Sequence, residues 1–83
     1  MDLLNEIQAM LGEVLHLGPR ALSFVRQTHL LGAIPELDSM GVVSLITVME
    51  ERFGIMVDDD EIDASTFATV GSLTDFVKGK LAS

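Results

Sequence analysis

Residues 38–54 read DSMGVVSLITVMEERFG, and the interpretation of this stretch decides the fold. Its β-branched residues would suit a strand, but its apolar positions recur at the spacing of an amphipathic helix. The positions on that single stripe are Val42, Leu45, Ile46, Met49 and Phe53. Charged residues separate the last apolar positions, and Gly54 follows as a stop signal. The pattern therefore predicts a helix over Ser39 to Phe53.

The residues before this helix predict one more helix and a long loop. The same spacing runs through Leu3, Leu4, Ile7, Met10, Leu11, Val14 and Leu15. Gly18-Pro19 is a typical helix end, so we expect the first helix to stop there. About twenty residues then connect it to Asp38, far more than the usual connection. Within this loop, residues 21–26 are suited to a turn or two of helix.

The residues after Gly54 predict two further helices. The acids of 58–61 supply an N-cap and first-turn charges for a short third helix ending near Phe67. Thr69 caps a fourth helix, whose last turns carry Lys78 and Lys80. Its predicted buried face consists of Val70, Leu73, Phe76, Val77 and Leu81. The expected fold is a single all-α domain over 1–83, a small four-helix bundle with three main helices and one short helix.

Composition excludes several classes of function. The chain of 83 residues has no cysteine, so disulfides, thiolate metal sites and a cysteine nucleophile are excluded. Thirteen acidic against five basic residues give a formal charge of −8, which repels nucleic acid and anionic membranes. The uncharged stretch Ser39 to Met49 is too short to span a membrane. Acids near the N-terminus do not fit a signal peptide, so we expect a cytoplasmic location. We also expect the chain to be a monomer.

Ser39 is the candidate functional residue. An Asp or Ser before a helix is most simply an N-cap, but Asp38 can do that capping. Ser39 would then be the first helical residue, beside free N–H groups that favour a phosphate. A catalytic serine needs an adjacent base, and no motif ties His16 or His29 to Ser39. We therefore expect no enzyme activity from this chain and no bound metal.

The predicted second helix has an outer face as well as a buried one. Met40, Val43 and Thr47 point away from the core stripe, with Glu50 and Glu51 beside them. An apolar strip edged by acids suits a basic, apolar groove on a partner. The alternative is that Met40 and Val43 pack under the long loop.

With Asp38-Ser39-Met40 at the head of this helix, the sequence resembles the acyl carrier protein family, with its Asp-Ser-Leu signature and long first loop. The resemblance covers nearly the whole chain. It includes the stretches Leu31-Gly32, 50–54, Val57 with Asp59-Asp60, and 69–73.

This resemblance implies a function and a set of partners. Ser39 would receive 4′-phosphopantetheine from coenzyme A through a phosphopantetheinyl transferase, and acyl groups would travel as thioesters on that arm. The interior between the second helix, the third helix and the loop would shelter the acyl chain. Asp38, Met40, Val43, Thr47 and Glu51 match the positions that the family uses around the serine and toward acyl-loading and acyl-transfer enzymes.

The sequence also departs from the family pattern. Residues 33–37 lengthen the loop before Asp38, and Gly41 and Ser44 replace positions that are often acidic in fatty-acid carriers. The stretch 30–40 is similar to specialised carriers found with bacterial exosortase and exopolysaccharide systems.

Two alternatives stay open: a peptidyl or aminoacyl carrier, and an unmodified helical interaction module. A calcium loop starting at Asp58 fails the EF-hand pattern, since its twelfth position is Thr69.

Overall fold

The computed structural model describes residues 2–82, and for Asp59 the backbone alone. Three α-helices form a bundle: α1 spans Leu3–Val14, α2 spans Ser39–Phe53 and α3 spans Val70–Ala82. Two short 3₁₀ helices lie in the connections, at Gly18–Ser23 and Asp59–Glu61. The expected all-α bundle with a long first loop is confirmed.

The core is built from one face of each helix and from the connections between them. Its most deeply buried side chains include Ile7, Met10, Leu11, Leu30, Leu45, Met49, Phe67, Val70, Leu73 and Val77. Of the fourth predicted helix's apolar face, Phe76 is half-buried and Leu81 is 46% exposed. The prediction for Leu81 is therefore wrong, since this residue lies in the last turn of α3, where the bundle ends.

Helices α1 and α2 run antiparallel. Arg52, in the last turn of α2, pairs with Glu6 at 3.1 Å and Glu13 at 3.4 Å on α1. At the opposite end, Gly41 in the first turn of α2 approaches Leu15, which follows α1. This packing brings the beginning of α2 beside the end of α1.

Helix α1 ends at Val14, before the predicted stop at Gly18-Pro19. His16 adopts the left-handed conformation with φ of 57°, and the Leu17 N–H donates to the Gly12 carbonyl at 3.0 Å. These features form a Schellman-type ending, in which glycine is the usual left-handed residue. Gly18 instead begins the first 3₁₀ helix, which overlaps the helical turn expected over residues 21–26.

The third predicted helix is shorter than the sequence indicates. After the 3₁₀ helix at Asp59–Glu61 the chain makes separate turns over residues 64–67. The Asp63 carboxylate accepts from the Ser65 amide at 3.0 Å and from the Thr66 amide at 3.2 Å. Such side-chain bonds compete with helix continuation, which explains why a helix does not extend to Phe67.

The long loop is fastened to the start of α3. The Leu30 and Leu31 amides donate to the Ala68 and Phe67 carbonyls at 2.9 and 3.0 Å. In the other direction, the Val70 and Gly71 amides donate to carbonyls of Thr28 and Arg26, both at 2.9 Å. We call these four hydrogen bonds the loop clasp. The clasp holds a segment that the sequence alone left without regular structure.

Candidate functional site at the start of helix α2

Asp38 caps helix α2 and leaves Ser39 without a capping role. The Asp38 Oδ1 atom accepts from the Gly41 amide at 2.8 Å, and its carbonyl accepts from the Val42 amide at 2.9 Å. Ser39 is the first residue of α2 and is exposed. Its hydroxyl makes no hydrogen bond within residues 2–82, so it is available for chemistry at a helix N-terminus.

The residues just before Ser39 are packed against the rest of the bundle. Ile34 and Leu37 are buried, and the Glu36 carbonyl lies 3.1 Å from the point that a Cβ on Gly41 would occupy. The Arg20 guanidinium donates to the Glu36 carboxylate at 3.0 Å. This hydrogen bond is the main reason why the pKa of Glu36 lies below its ordinary value. The backbone leading to Ser39 is therefore supported by the first 3₁₀ helix and by α2 itself.

The two histidines lie outside α2. His16 follows the end of α1, and His29 pairs with Thr69 in an isolated antiparallel bridge. Both are exposed, and neither hydrogen-bonds Ser39 in the described part of the chain.

The outer face of α2 is open to solvent. Met40 is 72% exposed and Val43 58%, which excludes the alternative that they pack beneath the long loop. Thr47 is also exposed, and its hydroxyl donates to the Val43 carbonyl at 3.1 Å. Glu51 is exposed on the same helix. We call Asp38, Met40, Val43, Thr47 and Glu51 the docking strip.

Glu50 behaves differently from Glu51. It is half-buried, and its carboxylate accepts from the Val57 amide at 3.0 Å. The segment after Gly54 folds back toward α2, so one oxygen of Glu50 is already used. Helix packing alone could not reveal this, because the partner lies in an irregular segment.

The acidic residues after α2 act as caps and ion pairs. Glu61 accepts from the Asp58 amide at 2.8 Å and pairs with Lys80 at 2.6 Å. A hydrogen bond from the Ser65 hydroxyl, with a smaller contribution from the Thr66 amide, lowers the pKa of Asp63. Among the described residues, no group of three or more acids or histidines is arranged to hold a metal ion.

A shallow cavity of about 520 Å³ lies elsewhere, where the long loop meets α3. Its lining includes Arg26, His29 and Asp75, and Arg26 and Asp75 pair at 2.8 Å. The first amides of α3 already donate to loop carbonyls in the loop clasp, so this helix end offers them to no ligand. No pattern in the sequence predicts this cavity, because it brings together residues more than forty positions apart.

Comparison with known proteins identifies what the site resembles. The family model described as the phosphopantetheine attachment site matches residues 5–77. The chain is also similar to the solution NMR structure of a holo acyl carrier protein from Nitrosomonas europaea. That likeness has a TM-score of 0.92 and 52% sequence identity, and it covers 100% of both chains. Within residues 2–82, no helix has both the length and the apolar character needed to cross a membrane.

Proposed function

Because this chain belongs to the acyl carrier protein family, whose cofactor is covalently attached 4′-phosphopantetheine, we propose that Ser39 is its attachment residue and that its cargo is acyl. Carrier proteins of this family are not enzymes, and they act by interacting with enzymes that load and use the cargo. The interpretation as an unmodified interaction module is accordingly set aside.

The observation that carries the attachment proposal is the free hydroxyl of Ser39 at the start of α2. Three other described serines use their hydroxyls as donors: Ser23 to Arg20, Ser65 to Asp63, and Ser72 to carbonyls of the turn before α3. Ser44 is exposed as well, but it lies in the second turn of α2. Only the first turn offers the positive end of the helix dipole to a phosphodiester.

The residues around Ser39 fit a covalently attached 4′-phosphopantetheine. Asp38 caps the first turn of α2, and the Glu36 carbonyl packs close to Gly41 in that turn. When bound, the phosphopantetheine supplies the thiol that the cysteine-free chain lacks, and acyl groups are held there as thioesters. Neither His16 nor His29 hydrogen-bonds Ser39 within the described residues, so we expect the transferase to supply the base that removes the Ser39 proton.

The test is an intact mass before and after incubation with coenzyme A and a broad-specificity phosphopantetheinyl transferase. Wild type and Ser44→Ala should each gain one phosphopantetheine, and Ser39→Ala should gain none. Ser44→Ala is the matched control, because it removes an exposed hydroxyl from the same helix. A gain in Ser39→Ala, or its loss in Ser44→Ala, would move the attachment point away from Ser39.

We assign partner binding to the docking strip, with Glu50 at its edge. The exposed apolar atoms of Met40 and Val43 lie between Asp38 and Glu51 along α2, which suits transferases and acyl-transfer enzymes with basic, apolar grooves. We expect Val43→Ser to raise the KM of the transferase by about fivefold, the effect of losing roughly 1 kcal/mol of apolar contact. Leu22→Ser is the control, since Leu22 is 67% exposed but lies outside α2. Equal effects of both substitutions would argue against the strip.

An acyl cargo is favoured over an aminoacyl or peptidyl one. The residues before Ser39 read Pro-Glu-Leu-Asp, and the similar solved structure is that of an acyl carrier protein. The test offers the holo protein a fatty acid with ATP and an acyl-carrier synthetase, or an amino acid with an adenylating enzyme. We expect a thioester to form in the fatty-acid reaction and not in the amino-acid reaction. The opposite result would show that the cargo is aminoacyl and not acyl. We further propose that this chain is a specialised carrier of the exosortase and exopolysaccharide type. We also propose that it is a cytoplasmic monomer.

A further inference from the structure

The methionines of the described chain fall into two groups. Met10 and Met49 are fully buried in the core, whereas Met40 is 72% exposed and Met56 81% exposed. Met40 follows Ser39 directly in the first turn of α2, so the two Cα atoms are about 3.8 Å apart. Met56 lies beyond Gly54, in the segment after α2. An exposed thioether thus lies next to the proposed attachment serine, and a second one, outside α2, provides a comparison.

We propose that Met40 is an oxidation site at which peroxides reduce partner binding to the docking strip. This inference rests on the proposed attachment at Ser39. In the reaction, the Met40 sulfur gives an electron pair to one oxygen of hydrogen peroxide, and the O–O bond breaks. A sulfur–oxygen bond forms, and the other oxygen leaves as water after gaining a proton. The thioether is oxidised by two electrons to the sulfoxide, and the peroxide is reduced.

Oxidation changes the strip where a partner must approach most closely. We expect an enzyme acting on Ser39 to cover the neighbouring Met40 side chain, which is 72% exposed. The sulfoxide is a polar acceptor, and covering it with an apolar groove removes its hydrogen bonds to water. The flexible apolar contact of methionine is lost at the same time. The core is untouched, since Met10 and Met49 are shielded from peroxide.

The test uses the unmodified protein treated with hydrogen peroxide under conditions in which peptide mass mapping finds sulfoxide at Met40 and Met56 but not at Met10 or Met49. Circular dichroism confirms that the helices persist. Transfer of phosphopantetheine from coenzyme A is then measured with a purified transferase. Oxidised wild type should lose about tenfold in kcat/KM, mainly through KM. Repair by methionine sulfoxide reductases A and B should restore the rate.

Two conservative variants assign the effect. Met40→Leu keeps an apolar side chain without sulfur, and we expect peroxide to leave its transfer rate unchanged. Met56→Leu should remain as sensitive as wild type. An unchanged rate in oxidised wild type, an equal loss in oxidised Met40→Leu, or failure of Met40 to oxidise would overturn the inference. If untreated wild type receives no phosphopantetheine at all, the attachment proposal fails first and this inference fails with it.

Discussion

Replacing Gly71 by alanine should destabilise the bundle through the loop clasp. An ideal Cβ on Gly71 would lie 2.9 Å from the Arg26 carbonyl oxygen and 3.3 Å from the Arg26 Cβ. The same carbonyl accepts the Gly71 amide at 2.9 Å. Ordinary van der Waals contact begins near 3.4 Å, so the loop backbone must retreat by about 0.5 Å. The added methyl group therefore disturbs both packing and a hydrogen bond.

The expected magnitude combines two opposing effects. Overpacking of this kind costs about 1–3 kcal/mol. Alanine gains up to about 1 kcal/mol over glycine inside a helix, and less at the second residue of α3. The net loss in free energy of unfolding should be about 1–2 kcal/mol. For a domain of this size, that corresponds to a fall in Tm of roughly 5–15 °C.

Gly79→Ala provides the matched control, because Gly79 lies in the same helix. A Cβ there meets nothing within 4 Å, so only the helix preference changes. Its free energy of unfolding should rise by about 0.5–1 kcal/mol. Urea titration of both variants with circular dichroism gives the comparison. Amide exchange at Leu30 and Leu31 should accelerate in Gly71→Ala and not in Gly79→Ala, since these amides belong to the clasp.

If Gly71→Ala is stabilised as much as Gly79→Ala, the predicted clash with Arg26 has no energetic cost. The loop would then retreat at no cost, and the clasp would not hold the connection to α3. Faster amide exchange at Leu30 and Leu31 without any loss of stability would mean that the loop clasp opens locally, independently of global unfolding.

Three further predictions concern the end of α1, the start of α2 and the turn at Asp63. His16→Gly should raise the free energy of unfolding by about 1 kcal/mol, since glycine has no left-handed penalty; an unchanged urea midpoint would contradict this. Asp38→Ala should lose about 1 kcal/mol with its cap and Asp38→Asn much less, so equal thermal melts of the two variants would refute the capping role. The pKa of Asp63 lies below its ordinary value of 3.8, so its stabilising effect is present above that pH and is lost as pH falls through the lowered folded-state pKa. The stability difference between wild type and Asp63→Asn should therefore shrink below pH 4 in pH-dependent urea titrations, and a constant difference would refute this.

The parts of the fold that could be predicted are those set by local sequence. The apolar period of residues 39–53 and the Asp38 cap define α2, and Gly54 ends it with φ of 66°. Because the Asp38 cap acts within one turn, it also predicts Ser39 as the first residue of α2, as the structure shows. Attachment at Ser39 was expected from the resemblance and remains for the mass measurement to decide.

The parts that could not be predicted depend on distant or competing contacts. The loop clasp joins residues 26–31 to residues 67–71, and no periodicity in either segment signals this pairing. The end of α1 was misplaced because His16 takes the left-handed position that glycine usually fills. The third helix was overestimated, since Asp63, Ser65 and Thr66 bond among themselves.

The structure gives Gly41 a packing role that its helix propensity does not indicate. From the sequence, Gly41 only weakens α2, by about 1 kcal/mol relative to alanine. In the structure, a Cβ on this residue would lie 3.1 Å from the Glu36 carbonyl and 3.2 Å from the Leu15 side chain. The lengthened loop 33–37 and Gly41, which the sequence presents as two separate departures from the family, therefore lie so close together that a side chain at position 41 would meet the loop backbone. Because Asp38 also caps α2 through the Gly41 amide, the loop, the glycine and the cap together fix the backbone that carries Ser39.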